Sequence, residues 1–412
     1  MAIGDTLHTL TLEEGRALPF WRRPVALLAV MSFAMPIAFA TWYALLNNFV
    51  VEMVRFGGAE IGWLHSVREI PGFLAIGVIF LIIFVREQVL GLVSLILLGV
   101  ASALTAQFPT VGGLMIVTLF SSIGFHYYET VVQSLQLQWI PKKYAPQTLG
   151  WLMSIGSGAT LLTYLLIVVT WRAYDLSYDI VYWISGGVTA VMAVLCLLLY
   201  PQFESETPQT KKMVLRRRYW LYYALQFMSG ARRQIFFVFA TFMMVERYQL
   251  EVYQLTELYM ITLLANMIAA PFLGRAVARF GERTALIVEY SGLGMIFVFY
   301  AGLYVFDWGV AFAAALYVGN HIFFALALAI KTYFQKIADP ADIAPTAAVA
   351  FTINHIAAVF LPAGLGYLWL VSPTSVFVVA ACMAVVSLLL SFLVPRHPMP
   401  GHETTLAAPR AQ

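Results

Sequence analysis

Apolar runs long enough to cross a bilayer recur along this chain, separated by short polar breaks. A helix needs about 20 largely apolar residues to span the hydrocarbon core. By that ruler spans fall at 25–47, 60–85, 88–107, 112–139, 146–171 and 178–200. Six more follow at 220–245, 253–274, 284–305, 308–332, 345–370 and 374–394. One long polar stretch, Gln202 to Arg218, separates the two sets. The pattern predicts an all-α membrane protein with twelve transmembrane helices. It divides the chain into a tail (1–24), a six-helix bundle (25–200), a linker (201–219), a second six-helix bundle (220–395) and a second tail (396–412).

Composition supports this division. The 412 residues are 61% hydrophobic and 11% charged, with a mean hydropathy of +0.82. Soluble domains carry about 25% charged residues, and a soluble fold of this length has no way to hide so much apolar surface. The run after Arg22 and Arg23 is too long for a signal-peptide core and reads as the first span. Cys196 and Cys382 lie far apart inside apolar stretches and read as small buried hydrophobes, not as a disulfide or metal framework. Trp139, Trp171 and Trp220 sit at span ends, where indole rings anchor at the membrane interface. A net charge of +3 offers no footprint for nucleic acid.

The distribution of charge sets an orientation. With the N-terminus cytoplasmic, the inner loops and tails hold Arg16, Arg22, Arg23, Arg86, Lys142, Lys143, Lys211, Lys212, Arg216, Arg217, Arg218, Arg275, Arg279, Arg283, Lys331, Lys336, Arg396 and Arg410. The outer loops hold only Arg55, Arg172 and Arg247. Such asymmetry follows the positive-inside rule and places both termini in the cytoplasm. The remaining basic residues, Arg68, Arg232 and Arg233, fall inside spans.

Two sets of six helices joined by a basic linker resemble the major facilitator superfamily over nearly the whole chain. The most specific match is the loop between spans 8 and 9, running from Gly274 through Arg275, Ala278, Arg279 and Gly281 to Arg283. It is similar to the family's gate motif, although Ala278 stands where the family usually has an acidic residue. The corresponding loop around Arg86 and Glu87 has largely lost the pattern. In span 5, Gly150, Gly156 and Gly158 match an antiporter signature that lacks its proline. The resemblance implies two bundles related by a pseudo-two-fold axis and a transporter working as a monomer in the lipid bilayer, here a bacterial inner membrane. It also implies that spans 1, 4, 7 and 10 line a central cavity, with 2, 5, 8 and 11 flanking it and 3, 6, 9 and 12 facing lipid.

The intramembrane polar residues follow that scheme. His65, Arg68 and Glu69 lie on span 2, His126 and Glu129 on span 4, Arg232 and Arg233 on span 7, His321 on span 10 and His355 on span 11; span 9 has only Glu289, near its cytoplasmic end. An ionised side chain at a helix centre costs about 2.5–3.5 kcal/mol on insertion scales, so Arg68, Glu69, Glu129, Arg232 and Arg233 must be paired or hydrated. Ser122, His126, Glu129, Gln133 and Gln136 form one helical stripe, and Tyr222, Gln226, Ser229 and Arg233 form another. On that register Arg232 points about 100° away from Arg233. Arg232 with Glu69, and Arg68 with Glu129, are candidate structural pairs, and His65 reads as structural.

These residues admit three readings. In the first, Arg233, Arg232, Arg68, His126, Gln133, Gln226, Asn320, His321, Asn354 and His355 bind a small organic anion, because guanidinium suits carboxylate and phosphate. Glu129 and Glu69 then carry coupling protons. In the second, the histidines and glutamates hold a transition metal or metal chelate as cargo. In the third, the protein is a non-transporting membrane sensor. No cofactor or resident metal is expected. The chain has no nucleophile elbow, zinc-protease motif or nucleotide loop, so it does not read as an enzyme.

Overall fold

The computed structural model describes residues 9–74, 78–141, 145–174, 176–204, 215–339 and 342–406. Lys142, Lys143, Lys211, Lys212 and Arg410, used above to set orientation, lie outside the described residues, as do parts of both tails and of the linker.

A short helix, α1 (Leu12–Ala17), precedes α2 (Pro24–Glu52), which begins with proline where no amide partner is needed. Span 2 consists of α3 (Gly58–Phe73) and α4 (Val78–Phe84), and span 3 is α5 (Glu87–Ala103). Then come α6 (Val111–Trp139), α7 (Ala145–Tyr174) and α8 (Tyr178–Leu199). Thr110 caps α6 by accepting from the Gly113 amide at 3.1 Å. Span 7 is interrupted: α9 (Trp220–Ile235) passes through a π turn (Phe236–Ala240) into α10 (Thr241–Glu246). It is followed by α11 (Val252–Phe280), α12 (Glu282–Val305), α13 (Val310–Phe324), α14 (Leu328–Ile337), α15 (Ile343–Val371) and α16 (Pro373–Phe392). Among the described residues nine helical segments are long and apolar enough to cross a membrane. The shorter α5, the segments α3 and α4 on either side of residues 75–77, and the interrupted α9–α10 fall at spans 3, 2 and 7, consistent with twelve.

The chain forms two compact units. The first comprises Met1–Val54, Ile70–Thr210 and Val252–Thr256. In it α2 packs on α7 and α8, and α5 packs on α6 and α8. Leu27, Met31, Leu95, Val131 and Leu135 form part of its core. Two buried hydroxyls tie these helices to α2, Tyr128 donating to the Met31 carbonyl at 2.8 Å and Thr189 to that of Ala34 at 3.0 Å. A parallel pair of short strands, β1 (Thr9–Thr11) and β2 (Gln202–Glu204), joins the N-terminal tail to the start of the linker. Phe203 of β2 meets Trp139 edge-on at 5.4 Å. Trp139 is therefore a core residue, only 1% exposed, and not the interfacial anchor its position suggests. Trp220, in the other unit, is 42% exposed.

The second unit comprises Arg55–Glu69, Lys211–Glu251 and Glu257–Gln412. Here α9 packs on α15 and α16, and α12 packs on α13 and α16. The first part of α3 belongs to this unit because glycines let it touch the α15 backbone. A side chain at Gly62 would meet the Pro362 carbonyl oxygen at 2.2 Å, and one at Gly366 would meet that of Gly58 at 2.3 Å. Ser66 accepts from the Ala363 amide at 3.0 Å, next to the proline. At one end of the unit Asp342, just before α15, accepts from Arg216 and from the Tyr219 hydroxyl, and Asp339 accepts from Arg218. The Tyr333 hydroxyl donates to the Glu403 carbonyl, fastening the C-terminal segment to the same end.

Two expectations follow. The closest approach of α5 and α8 rests on Gly99 and Gly186, where a Cβ on Gly186 would lie 2.3 Å from the Gly99 carbonyl oxygen, whereas Gly187 has open space. Gly186→Ala should lower stability by about 1–3 kcal/mol, the usual overpacking cost, and Gly187→Ala should not; thermal melting in detergent distinguishes them. The Arg216 hydrogen bond holds the Asp342 carboxyl below the usual aspartate range. A depressed folded-state pKa contributes stability above the unfolded value, near 4, that is lost as pH falls through the folded one. Asp342→Asn should therefore be destabilising at pH 7, with the gap to the parent narrowing below pH 4.

Candidate functional site

The polar face of α9 is built by spacing. Tyr222, Gln226, Ser229 and Arg233 recur at intervals of 4, 3 and 4, which sets them on one side of the helix. Gly230, three residues before Arg233, lets α15 come close, since a side chain there would meet the Asn354 carbonyl oxygen at 2.4 Å. Arg233 Nη2 donates to Asn354 Oδ1 at 2.9 Å, and Asn354 Nδ2 donates to the Gln226 carbonyl at 3.1 Å. Both ends of the amide are engaged, which fixes its orientation and with it the guanidinium. The Asn354 amide is thus one of the groups that orient Arg233. Arg233, Gln226 and Asn354 are each half-buried, so the structure brings together three of the expected site residues.

Arg232 goes the other way. It is 1% exposed, with its guanidinium 4.3 Å above the Tyr290 ring and Nη2 3.7 Å from Glu289 Oε1. Its Nε donates to the Met228 carbonyl at 3.2 Å. Neither Glu289 oxygen has a hydrogen-bond partner among the described residues. Arg232 was grouped with the substrate contacts on sequence grounds, with Glu69 as its alternative structural partner. The structure places it against α12, paired with Glu289.

Glu69 has other neighbours. Arg68 Nη2 lies 2.6 Å from Glu69 Oε1, and His355 Nε2 lies 3.6 Å from Oε2. His355 Nδ1 is 2.9 Å from the Phe351 carbonyl oxygen, so that nitrogen carries a proton. In the neutral ring Nε2 is then an acceptor facing a carboxylate oxygen. A proton on either atom would convert this opposition into an attraction. His65, one turn before Glu69 on α3, is buried.

On α13 His321 has the same tautomeric constraint, its Nδ1 lying 3.0 Å from the Tyr317 carbonyl oxygen. Its ring packs edge-on against Phe236 (5.1 Å) and Phe237 (5.4 Å) and beside Tyr317 (4.8 Å). Asn320 is buried, and its Oδ1 has no hydrogen-bond partner among the described residues. In the first unit His126 is buried on α6, edge-on to Phe125 at 5.0 Å. Along the same helix Glu129 is half-buried and Gln133 exposed.

The loop motif lies at the junction of α11 and α12. Gly274, Arg275 and Arg279 are in the last turns of α11, with Arg275 Nε donating to the Pro271 carbonyl at 3.1 Å and Arg279 over Phe280. Gly281 has φ +81°, a backbone conformation that explains why glycine stands there, and it leads into the first turn of α12, which holds Arg283. Buried Glu282 pairs with Lys336 of α14 at 2.7 Å.

Two residues of this arrangement were missed from sequence. Glu289 was read only as a near-terminal group on a lipid-facing span, but a helix on the outside of a bundle still has an inner face, here Ala285, Leu286, Glu289, Tyr290 and Leu293. Phe237 was hidden in an apolar run. Its spacing of four from Arg233 was the available signal.

A family model described as Major Facilitator Superfamily matches residues 24–362. No curated protein sequence matches the chain. Among solved structures, the nucleoside transporter NupG superposes with a TM-score of 0.72 at 14% identity, covering 89% of this chain and 98% of that one. A bacterial homologue of the human lysosomal transporter Spinster, inward-facing and occupied, gives 0.68 at 11% identity over 90% and 95%. A POT family transporter in complex with 5-aminolevulinic acid gives 0.72 at 11% identity over 91% and 97%. At these identities the likeness concerns the fold.

The Arg232–Glu289 pair generates a stability prediction. Removing one member of a buried ion pair leaves the other uncompensated and costs about 3–5 kcal/mol, whereas replacing both with apolar residues is often neutral. Arg232→Met should therefore melt well below the parent, and Arg232→Met with Glu289→Leu should recover most of the loss. Equal melting of the single and double variants would show that the pair is not what holds Arg232.

Proposed function

The chain belongs to the Major Facilitator Superfamily, and on that premise we propose that it is a secondary active transporter of a small organic anion, driven by protons through alternating access. The observation that carries the reading is Arg233, whose guanidinium is aimed by a neutral amide on α15. A planar fork of donors held in place suits a carboxylate. The reading does not rest on excess positive charge. With Glu289 counted, the three intramembrane arginines are matched by Glu69, Glu129 and Glu289.

That balance suits coupling. With every acidic group ionised these side chains sum to zero, and one proton on Glu69 or Glu129 leaves them at +1, matching a monovalent anion. His355 facing Glu69 at 3.6 Å offers a second place for the same proton. Arg233 and Asn354, with Gln226, contact substrate in this scheme, and His321 contributes a polar edge. Arg232 serves the packing of its own bundle. The basic residues Arg216 to Arg218 and Arg275 to Arg283 support cytoplasmic termini. The functional bundles are 25–200 and 220–395, working as a monomer.

In proteoliposomes an inward pH gradient should drive uptake of the transported anion. Arg233→Gln should weaken apparent affinity about 10- to 100-fold, the range expected for losing a charge-assisted hydrogen bond. Glu129→Gln should uncouple uptake from the gradient. Flux unchanged in both variants would remove the mechanism.

A further inference from the structure

The anchoring arginine does not stand alone on its helix face. The α-helix turns by about 100° per residue and the π turn by somewhat less, so Phe237, four residues after Arg233, returns to nearly the same side of span 7. The π turn begins at Phe236. Single π turns are rare and frequent at functional sites, because they re-aim the side chains that flank them.

What is aimed here is a wall of rings. Phe237 and His321 are half-buried, while Phe236 and Tyr317 behind them are each 1% exposed. Phe237 and His321 meet at 5.4 Å with an interplanar angle of 82°, and Phe236 supports the same imidazole at 5.1 Å. The His321 ring is locked, because Nδ1 is spent on the Tyr317 carbonyl. The Nε2 edge of the neutral ring is therefore an acceptor, suited to an N–H or O–H on a bound ring. One helix face thus carries a cation, and one turn further an aromatic surface with a hydrogen-bonding edge.

We propose that the substrate is a ring-bearing monocarboxylate, its carboxylate on Arg233 and its planar ring against Phe237 and His321. This rests on the anion reading above and adds the ring. An aliphatic chain would fill the same volume without the edge and face contacts that aromatic pairs gain beyond burial.

The test is binding to the full-length protein in detergent, by calorimetry, with benzoate, 2-naphthoate, cyclohexanecarboxylate, acetate and benzamide. Benzoate or 2-naphthoate should bind about two- to tenfold more tightly than cyclohexanecarboxylate and well above acetate. Phe237→Leu should erase the preference for the planar ring, and Phe237→Tyr should keep it, which separates loss of the ring surface from misfolding. Equal affinity for the planar and puckered carboxylates overturns the ring inference and leaves the anion reading standing. Benzamide binding as well as benzoate, or no carboxylate binding at all, overturns both.

Discussion

Ionised groups within a hydrocarbon-solvated protein must find partners, and this requirement organises much of what the second unit does. Each lone charge at a helix centre costs a few kcal/mol. Arg232 meets the requirement through Glu289 and the face of Tyr290, and Arg68 through Glu69. Arg233, one residue from Arg232, turns instead to α15, where it donates to the Asn354 amide. Adjacent arginines on one helix thus meet different neighbours, because about 100° of rotation turns one into the bundle and the other onto the polar stripe.

These pairings depend on backbones approaching more closely than side chains ordinarily allow. Gly230 lets Asn354 reach Gln226 and Arg233, and Gly62 with Gly366 lets α3 lie against α15, where Glu69 meets His355. Without a strong hydrophobic drive between helices in lipid, small residues and interhelical hydrogen bonds carry much of the association. The same glycines that hold the helices together therefore set the distances among the polar groups. Packing and chemistry are one constraint here.

Much of the fold was legible because hydropathy and length respond to the bilayer alone. Nine of the twelve spans read from apolar runs appear among the described residues as helices long enough to cross a membrane, and the glycine at 281 in the loop motif takes the positive φ that only glycine adopts readily. What was not legible came from rotation and depth. Trp139 looked like an interface anchor because it ends a span, but Phe203, folded back in a short strand after α8, covers it. Arg232 and Arg233 are indistinguishable in composition, and only the register of Tyr222, Gln226 and Ser229 hinted at their divergence. Glu289 was obscured by a rule about whole helices, when burial is a property of one face.

The π turn sets a register in span 7 that a regular helical repeat does not give. A sequence window assigns Phe236 to Ala240 to an apolar helix and places each residue by a fixed angle. The extra residue per turn shifts everything after it relative to everything before it, so the rings of Phe236 and Phe237 come round to His321 beyond the arginine. Helix interruptions in membranes are tolerated where neighbouring groups satisfy the freed backbone. The interruption begins three residues after Arg233 and contains Phe236 and Phe237, so in the proposed scheme the geometry of span 7 serves recognition as well as assembly.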